Sequence, residues 1–433
     1  MTMHSRIRKP FTRPLGRTNR KATRAARLSL EALEERFCPS TFTVTNTLND
    51  GSVGSLPWAV SQANTTAGAN TIKFDSSATS VFNAPQTITL GGSQLELSNK
   101  TGLETITGPA VGVTISGGGL SRVFQVDAGV TASLSGLTIT DGQANAEANI
   151  IAAGGGLLND GTTALSNCTV TGNTAQGGSG HQVSGGLPAG TVYIGGNSRG
   201  GGISNYATLS LTNCTVSGNT ALGGTGADGG PSDSDTGVMN TGYTGGNSQG
   251  GGICNNATLT MMNCTIGGNA ARGGSGGRGA FGQHGGNGGI GGNCQGGGIY
   301  NDATLTLTNC TVSGNTAQGG TGGGGGISPP VPFDSFSLYG GNGGIGGNSQ
   351  GAGIYNKTNS TLTNCTLSGN TAQGGPGGPG GPGASLNGSD GPGGSGLAGG
   401  LVNIVTATLT NCTVAANSGP GLENDGTATL TNT

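Results

Sequence analysis

The sequence has few of the side chains that usually carry chemistry. Of its 433 residues, 8% are charged and 4% are aromatic, and only three are histidine. Apolar runs long enough for a membrane-spanning helix are missing, so we expect no transmembrane segment. This composition makes a charged or metal-rich active site an exception that particular residues would have to demonstrate.

The basic residues are unevenly placed. Residues 1–36 carry a net charge of +7, and the rest of the chain carries –9. The acidic body has only seven basic residues and offers no basic stripe. We therefore expect no nucleic-acid partner, although a basic N-terminal arm that contacts nucleic acid is the competing interpretation of residues 1–36.

The nine cysteines do not have zinc-site spacing. Cysteines at one position of neighbouring parallel strands lie about 4.8 Å apart, whereas the Cβ atoms of a disulfide are about 3.8 Å apart. We therefore predict buried thiols that act as small hydrophobic side chains. Cys254, Cys294 and Cys38 fall outside the repeated position, which comprises Cys168, Cys214, Cys264, Cys310, Cys365 and Cys412.

What the chain has in abundance is glycine, with 95 residues, and internal repetition. The segment Gly296–Ala317 reads GGGIYNDATLTLTNCTVSGNTA, and close copies begin at Gly200, Gly250 and Gly351. The repeated cysteines are 46, 50, 46, 55 and 47 residues apart. Repetition at such periods is typical of solenoids and propellers.

The pattern inside the repeat favours a solenoid. Leu305 and Leu307 alternate with threonine, and Cys310 and Val312 alternate one residue out of phase, which predicts a bend at Thr308-Asn309. Gly314-Asn315 predicts the next corner. Three short strands within 22 residues describe one rung of an all-β, right-handed single-stranded parallel β-helix. Stacked rungs should form a ladder of amides from Asn167, Asn213, Asn263, Asn309, Asn364 and Asn411.

The repeats over residues 150–433 resemble the right-handed β-helix repeats of bacterial surface proteins, including the polymorphic outer-membrane group, which carry GGGI and short Asn-bearing motifs. The resemblance implies a pectin-lyase-like solenoid and a cell-surface or extracellular location. It does not imply one activity, because function lies in sites grafted on folds.

Three regions follow from this organisation. Residues 1–40 are predicted to be a basic, disordered leader with a short helix, and LSLEALEERFCPS resembles the export leader of planctomycete surface proteins. Residues 41–150 are predicted to form the first rungs, capped by a helix at Gly54–Asn64 that resembles the GSLRxAIxxAN helix of other bacterial β-helices. Residues 151–433 carry the repeats with glycine-rich excursions.

The excursions lie at about 176–198, 223–248, 273–294, 318–349 and 373–396. They should leave the rungs on one face, and their lack of side chains to bury predicts mobility. Their glycine strings lack the aspartates of calcium-binding nonapeptides. Asp228, Asp233 and Asp235 could hold a calcium ion, but a solvated loop is the favoured interpretation.

Enzymes exist on this scaffold, but the residues that they need are scattered here. The body's basic residues occupy non-equivalent rung positions, and His181 and His284 lie in glycine-rich loops. Asp160, Asp302 and Asp425 follow a repeated Asn and resemble variable turn residues. We assign no catalytic, cofactor-binding or metal-binding residues, and no cofactor, from the sequence.

The sequence therefore predicts a secreted or cell-surface β-helix with a structural or adhesive role, whose threonine and asparagine ladders bind polysaccharide through many weak hydrogen bonds. A polysaccharide lyase or glycoside hydrolase on the same scaffold is the first alternative. A self-assembling wall component is the second, because the last rung, from Gly421, has no predicted cap and could associate with another copy.

Overall fold

A computed structural model describes residues 39–181, 194–230, 240–329 and 338–433. Within these residues the chain is a parallel β-helix, because every strand pair joins successive turns of the chain in parallel. Five sheets, here named A to E in chain order around one full turn, form its sides. The strand bounds follow, sheet by sheet.

Sheet A has eleven described strands: Ser40–Val44, Asn70–Phe74, Leu103–Thr107, Thr131–Ser135, Thr162–Ser166, Thr208–Thr212, Thr258–Met262, Thr304–Thr308, Asn359–Thr363, Thr406–Thr410 and Thr427–Thr431. Sheet B consists, in the same residues, of Gln86–Thr89, Val113–Ser116, Leu137–Thr140, Thr169–Thr171, Thr215–Ser217, Thr265–Gly267, Thr311–Ser313, Thr366–Ser368 and Thr413–Ala415. Sheet C consists of Gln143–Asn145, Thr174–Gln176, Thr220–Leu222, Ala270–Arg272, Thr316–Gln318 and Thr371–Gln373.

Sheet D is built from two-residue strands: Ala152–Ala153, Ser198–Arg199, Ser248–Gln249, Cys294–Gln295, Ser349–Gln350 and Gly396–Leu397. Sheet E consists of Leu95–Leu97, Phe124–Val126, Leu157–Asn159, Ile203–Asn205, Ile253–Asn255, Ile299–Asn301, Ile354–Asn356, Leu401–Asn403 and Leu422–Asn424. A full rung thus has five short strands. The three strands predicted from the repeat belong to sheets A, B and E. The three-residue strands of sheet C and the two-residue strands of sheet D were not predicted, because each has only one inward side chain.

The register aligns the sequence repeats residue by residue. Leu305 pairs with Leu259 on one side and Ser360 on the other, and Val312 lies between Ile266 and Leu367. A one-residue slip would turn this inner row outward, so burial fixes the register. The inward rows form one continuous apolar core along the solenoid.

The bend at Asn309 is confirmed. Asn309 has φ +53°, and its equivalents Asn167, Asn213, Asn263, Asn364 and Asn411 have φ between +51° and +54°. The left-handed conformation reverses the phase of the strand, and Asn tolerates it well. The amides form the predicted exposed ladder, in which Nδ2 of Asn309 donates to Oδ1 of Asn263 at 3.1 Å and Nδ2 of Asn364 to Oδ1 of Asn309 at 3.1 Å.

Two further asparagine ladders lie inside the solenoid, and the repeat pattern did not predict them. Asn315 was predicted only as a corner residue, but its side chain is fully buried. Its Nδ2 donates to Oδ1 of Asn370 at 2.9 Å and to the carbonyl of Ile266 at 3.0 Å. Asn301, at the end of sheet E, donates to Oδ1 of Asn356 at 2.8 Å. Both ladders satisfy the backbone polar groups where a corner turns inward.

The cysteine ladder is confirmed as a row of buried free thiols. The Cys310 thiol donates to the carbonyl of Thr308 at 3.2 Å, and Cys365 repeats the contact with Thr363. Cys254 is also buried, beside Tyr300. The eight cysteines of the described residues form no disulfide; Cys38 lies outside them.

The first rungs are covered by the predicted helix, which spans Leu56–Thr65. Ser55 is its N-cap, since its Oγ accepts from the N–H of Trp58 at 3.3 Å. The apolar face, formed by Leu56, Ala59, Val60 and Ala63, is buried against the start of sheets A and E. A short 3₁₀ helix follows at Val81–Asn83.

The buried interior of these rungs contains one carboxyl group. Glu104, in sheet A, is 1% exposed, and neither of its carboxyl oxygens has a hydrogen-bond partner. Its neighbour in the adjacent strand is Asn70, whose Oδ1 is also buried and unpartnered. Burial raises the pKa of Glu104 to about 7, because it disfavours the charged form.

The glycine-rich excursions are not mobile coils where they are described, which corrects the prediction. Each forms a first arm that leaves sheet C and a second arm that returns to sheet D. In the arms every third residue faces solvent, as Thr321 and Ile327 do in one arm and Asn342, Ile345 and Asn348 in the other. A three-residue period without internal hydrogen bonds is that of polyproline II helices.

The arms stack in two layers, here called the glycine lattice. Within a layer one N–H per triplet bonds the next rung, as Gly322 donates to the carbonyl of Pro376 at 2.9 Å. Between layers, another N–H of each triplet donates to a carbonyl of the opposite arm. Gly320 donates to Gly292 at 2.8 Å, and Gly347 donates to Gly320 at 2.7 Å, so these bonds alternate between the two layers. The prediction of mobility assumed that order requires side chains to bury, but backbone hydrogen bonds order these arms.

Close approach is what selects glycine in the lattice. A Cβ atom at Gly320 would lie 2.0 Å from the carbonyl oxygen of Gly274, and one at Gly292 would lie 1.9 Å from that of Gly246. These oxygens belong to backbone that neighbouring arms hold in place.

Candidate binding faces

The outer side of sheets A and B forms the most regular polar surface, here called the hydroxyl face. In the strand Thr304–Thr308, residues 304, 306 and 308 point outward and Leu305 and Leu307 inward. Thr or Ser occupies almost every equivalent position from Leu103–Thr107 onward, and the exceptions in sheet A are Leu103, Ala164, Met262 and Asn359. Sheet B continues the pattern with Thr311 and Ser313.

The geometry of the hydroxyl face follows from the strand lattice. Neighbouring rungs are about 4.8 Å apart, and outward residues of one strand are separated by about 6.6 Å. The exposed asparagine ladder at Asn309 runs between the two sheets. In the strands of sheets A and B from Thr131 onward, the described outward residues include no charged side chain. The face can therefore offer hydroxyl and amide hydrogen bonds to a neutral ligand.

The second arms form another repetitive surface. The amide oxygen of Asn293 accepts from the N–H of Asn348 at 2.7 Å, and that of Asn348 accepts from the N–H of Ser395 at 2.8 Å. A row of isoleucines runs parallel to this asparagine row, and Ile290 and Ile345 are each 46% exposed. His284 and Tyr339 stack at the end of the arms, with ring centroids 5.9 Å apart.

Three of the body's carboxyl groups, those of Glu96, Asp127 and Asp160, influence one another near the start of sheet E. A hydrogen bond with the Asp127 carboxyl raises the pKa of Glu96, as does the negative charge of Asp127. Asp160, in the next rung, has its pKa raised by burial against the opposing effect of Arg122. Paired carboxylates on a β-helix are what a glycoside hydrolase would need, so their geometry is important.

The polar groups around these carboxyls contact one another. Nε2 of Gln125 donates to Oδ1 of Asp127 at 2.9 Å. The guanidinium of Arg122 is also occupied, since it donates to the carbonyls of Gly154 and Ala153, both at 2.8 Å, and to Oε1 of Gln94 at 2.7 Å. We interpret the group as a polar network that fixes the early rungs.

The other residues that the sequence singled out are dispersed. Lys357 forms a salt bridge with Asp302 at 3.1 Å, on the rim of sheet E. Arg199 donates to Oε1 of Gln249 at 3.0 Å and begins a row of glutamines along sheet D. His181 is exposed in a first arm, and the ring of His284 stacks on that of Tyr339.

The calcium hypothesis at Asp228 gains no support from the described residues. The Asp228 carboxylate accepts from the N–H of Arg278 at 2.7 Å, and Asp233 and Asp235 lie outside the residues that the structure describes. Among the described residues, no group of three or more His, Cys, Asp or Glu side chains is arranged to hold a metal ion.

Comparison with known proteins does not extend this assignment. No family model matches the chain, and no curated protein matches it. In the ranges that the structure describes, no helix has both the length and the apolar character needed to cross a membrane.

Proposed function

We propose that this protein is an exported structural or adhesive β-helix that binds neutral polysaccharide on its hydroxyl face. The observation that carries the proposal is the repetition of outward Thr and Ser side chains, rung after rung, on sheets A and B. A polysaccharide repeats its hydroxyl groups along an extended chain, so a periodic face can engage it at many points.

Each contact on such a face is weak, and the number of contacts supplies the affinity. A single neutral hydrogen bond contributes about 0.5–1.5 kcal/mol, so several neighbouring rungs must act together. The parallel stack fixes the hydroxyl rows before the ligand arrives, which lowers the entropy lost on binding. Such a surface suits attachment to a polymer.

The resemblance of LSLEALEERFCPS to planctomycete leaders and of the repeats to the polymorphic outer-membrane group supports export to the cell surface. Residues 1–38 lie outside the described part of the chain. Fractionation of the native organism's cells, with an antibody against the body, tests the location. Recovery of the protein only from the cytosol would contradict it.

The binding proposal is tested by pull-down of the full chain with insoluble neutral polysaccharides. Thr260, Thr306 and Thr361 form one outward row of sheet A in three successive rungs. Their joint replacement by Val removes three hydroxyls with little change in shape, and we expect at least tenfold weaker retention. Replacement by Ser keeps the hydroxyls and serves as the matched control.

Equal retention of the Val and Ser variants would refute a hydroxyl-mediated contact. Release of new reducing or unsaturated ends from the polymer would instead favour the lyase or hydrolase alternative.

A further inference from the structure

The first arms present an outer face with a gap in it. The third residue of each triplet points outward, and the register aligns Phe281 with Ile327 and Pro382 in one row. The adjacent row contains Asp228, Arg278, Gly324 and Pro379. Gly324 has no side chain where its neighbours have one, and a depression of about 440 Å³ lies at this point.

Gly324 differs from the glycines that the lattice requires. A Cβ atom at Gly324 would meet only Pro379, at 3.7 Å, which is an ordinary contact. At the neighbouring Gly325 a Cβ atom would lie 1.9 Å from the carbonyl oxygen of Gly341. Packing therefore does not demand glycine at 324, and the residue's effect is to keep the depression open.

The walls of the depression combine apolar and charged groups. Ile327, Pro379 and Pro382 line it together with the ring of Phe281. Arg278 contributes a guanidinium that has no hydrogen-bond or ion-pair partner among the described residues. A concavity of this size that combines apolar walls with polar groups is typical of a small-ligand site.

The depression is lined by one basic and one acidic side chain, Arg278 and Asp228. Arg278 is one of the body's seven basic residues, and another, Arg272, ends the sheet C strand that leads into the same arm. Asp228 is the one acidic residue among the outward positions of the described first arms. One of its carboxylate oxygens accepts from the N–H of Arg278, and the other has no partner among the described residues.

We propose that this depression binds an acidic sugar unit, a uronate, of a polysaccharide chain. The planar guanidinium of Arg278 matches a carboxylate with two parallel hydrogen bonds. The apolar wall covers the C–H face of the pyranose ring, and Asp228 accepts from a sugar hydroxyl. The inference rests on the proposed function for its ligand class, but it assigns a different surface and a charged unit.

The test is calorimetric titration of the full chain with trigalacturonate and with its carboxyl-reduced, neutral counterpart. We expect the acidic ligand to bind at least tenfold more tightly. Arg278→Gln should remove that preference. Arg272→Gln is the matched control, because it makes the same charge change at the end of the sheet C strand that leads into this arm, outside the depression, and should alter affinity less than twofold.

Gly324→Leu tests the cavity independently of charge. The side chain should fill the depression and weaken trigalacturonate binding at least tenfold, while the melting temperature stays that of the wild type. A sulfated galactan trisaccharide separates carboxylate recognition from general anion attraction, and we expect it to bind at least tenfold more weakly than trigalacturonate.

Three results would overturn the inference: equal binding of the acidic and reduced ligands, equal losses in the Arg272 and Arg278 variants, or full binding by Gly324→Leu. These outcomes are distinct from failure of the proposed function. Loss of neutral-polymer retention in the Val variants concerns the hydroxyl face alone, and it can occur with or without uronate binding at Gly324.

Discussion

The rungs and the glycine lattice are two solutions to the same packing problem in one chain. In the rungs, rows such as Leu307 and Val312 bury apolar side chains, and each row contributes hydrophobic free energy in proportion to the area removed from water. In the lattice the buried groups belong to the backbone, and the N–H of Gly320 donates to the carbonyl of Gly292.

The difference shows what each solution tolerates. An apolar core accepts side chains of similar volume, because shape can be redistributed among neighbours. The lattice excludes side chains at most of its inner positions, since a Cβ atom at Gly320 or Gly292 would meet backbone at about 2 Å. Buried Ala227 and Ala280 show that a methyl group fits at two inner positions of the earlier arms. The lattice also loses no side-chain rotamer entropy on ordering, although each glycine loses more backbone entropy than other residues do.

The largest effect should come from Gly320→Ala, which breaks the lattice at an inner position. We expect destabilisation above about 3 kcal/mol, beyond the usual range for overpacking, because the clashing oxygen of Gly274 belongs to backbone. Hydrogen exchange of the arms should lose protection while that of sheet A is retained. Gly324→Ala is the matched control, and equal loss of protection in both would contradict the close-packing account.

The next effect should come from Asn315→Ala, inside the rungs. The change deletes the bonds to Asn370 and Ile266 and leaves buried groups unpaired. We expect a loss of about 3 kcal/mol, at about 1–3 kcal/mol for each unsatisfied group. Urea unfolding measures it. A loss below 1 kcal/mol would mean that water enters and replaces the amide.

A pH effect should arise in the early rungs, where the Glu104 carboxyl is buried. The folded pKa of Glu104, about 7, lies above its ordinary value of 4.5. The folded state therefore keeps a proton that the unfolded state releases, and stability falls as pH rises from 4.5 to 7. The full penalty above that range is about 3 kcal/mol.

Glu104→Gln should remove this slope and make the protein more stable than wild type at pH 8. Thermal unfolding across pH 4–8 provides the measurement. An unchanged slope in the variant would show that another group carries the pH dependence.

The smallest effect should come from Asn309→Ala, on the exposed ladder. Alanine at φ +53° is strained by about 1 kcal/mol, whereas Asn309→Gly should be nearly neutral because glycine adopts this conformation freely. Chemical denaturation of the two variants gives the comparison with Asn315. A greater cost for Gly than for Ala would show that the side-chain bonds, and not the backbone conformation, stabilise the corner.

Two-residue periodicity and its phase shifts were enough to predict the strands, the bend between them and the row of buried thiols. The phase change between Leu307 and Cys310 located the bend at Asn309, and the six spaced cysteines predicted the thiol row. The direction of a corner side chain is not encoded in such a pattern, so Asn315 was predicted only as a corner residue and Asn301 was assigned no role. Both recur in every close copy of the repeat, but so does the solvent-facing Asn309, and recurrence alone does not give the direction of a side chain.

The lattice could not be predicted from hydrophobic patterning, since it has no apolar face. Its signal is the three-residue period of strings such as Gly340–Asn348, GGNGGIGGN, which is the period of a polyproline II helix. The depression at Gly324 depends on which outward residues become neighbours across rungs, and that follows only from the register of arms about fifty residues apart in sequence.

The three-residue period of the arms also restricts how such a protein can change its length. Insertion of three residues within an arm keeps every inner glycine inside and adds one outward residue. Insertion of one or two residues rotates the remainder of the arm by a third or two thirds of a turn and directs an outward side chain such as Ile345 against backbone. We therefore expect the arms to change in length by multiples of three residues.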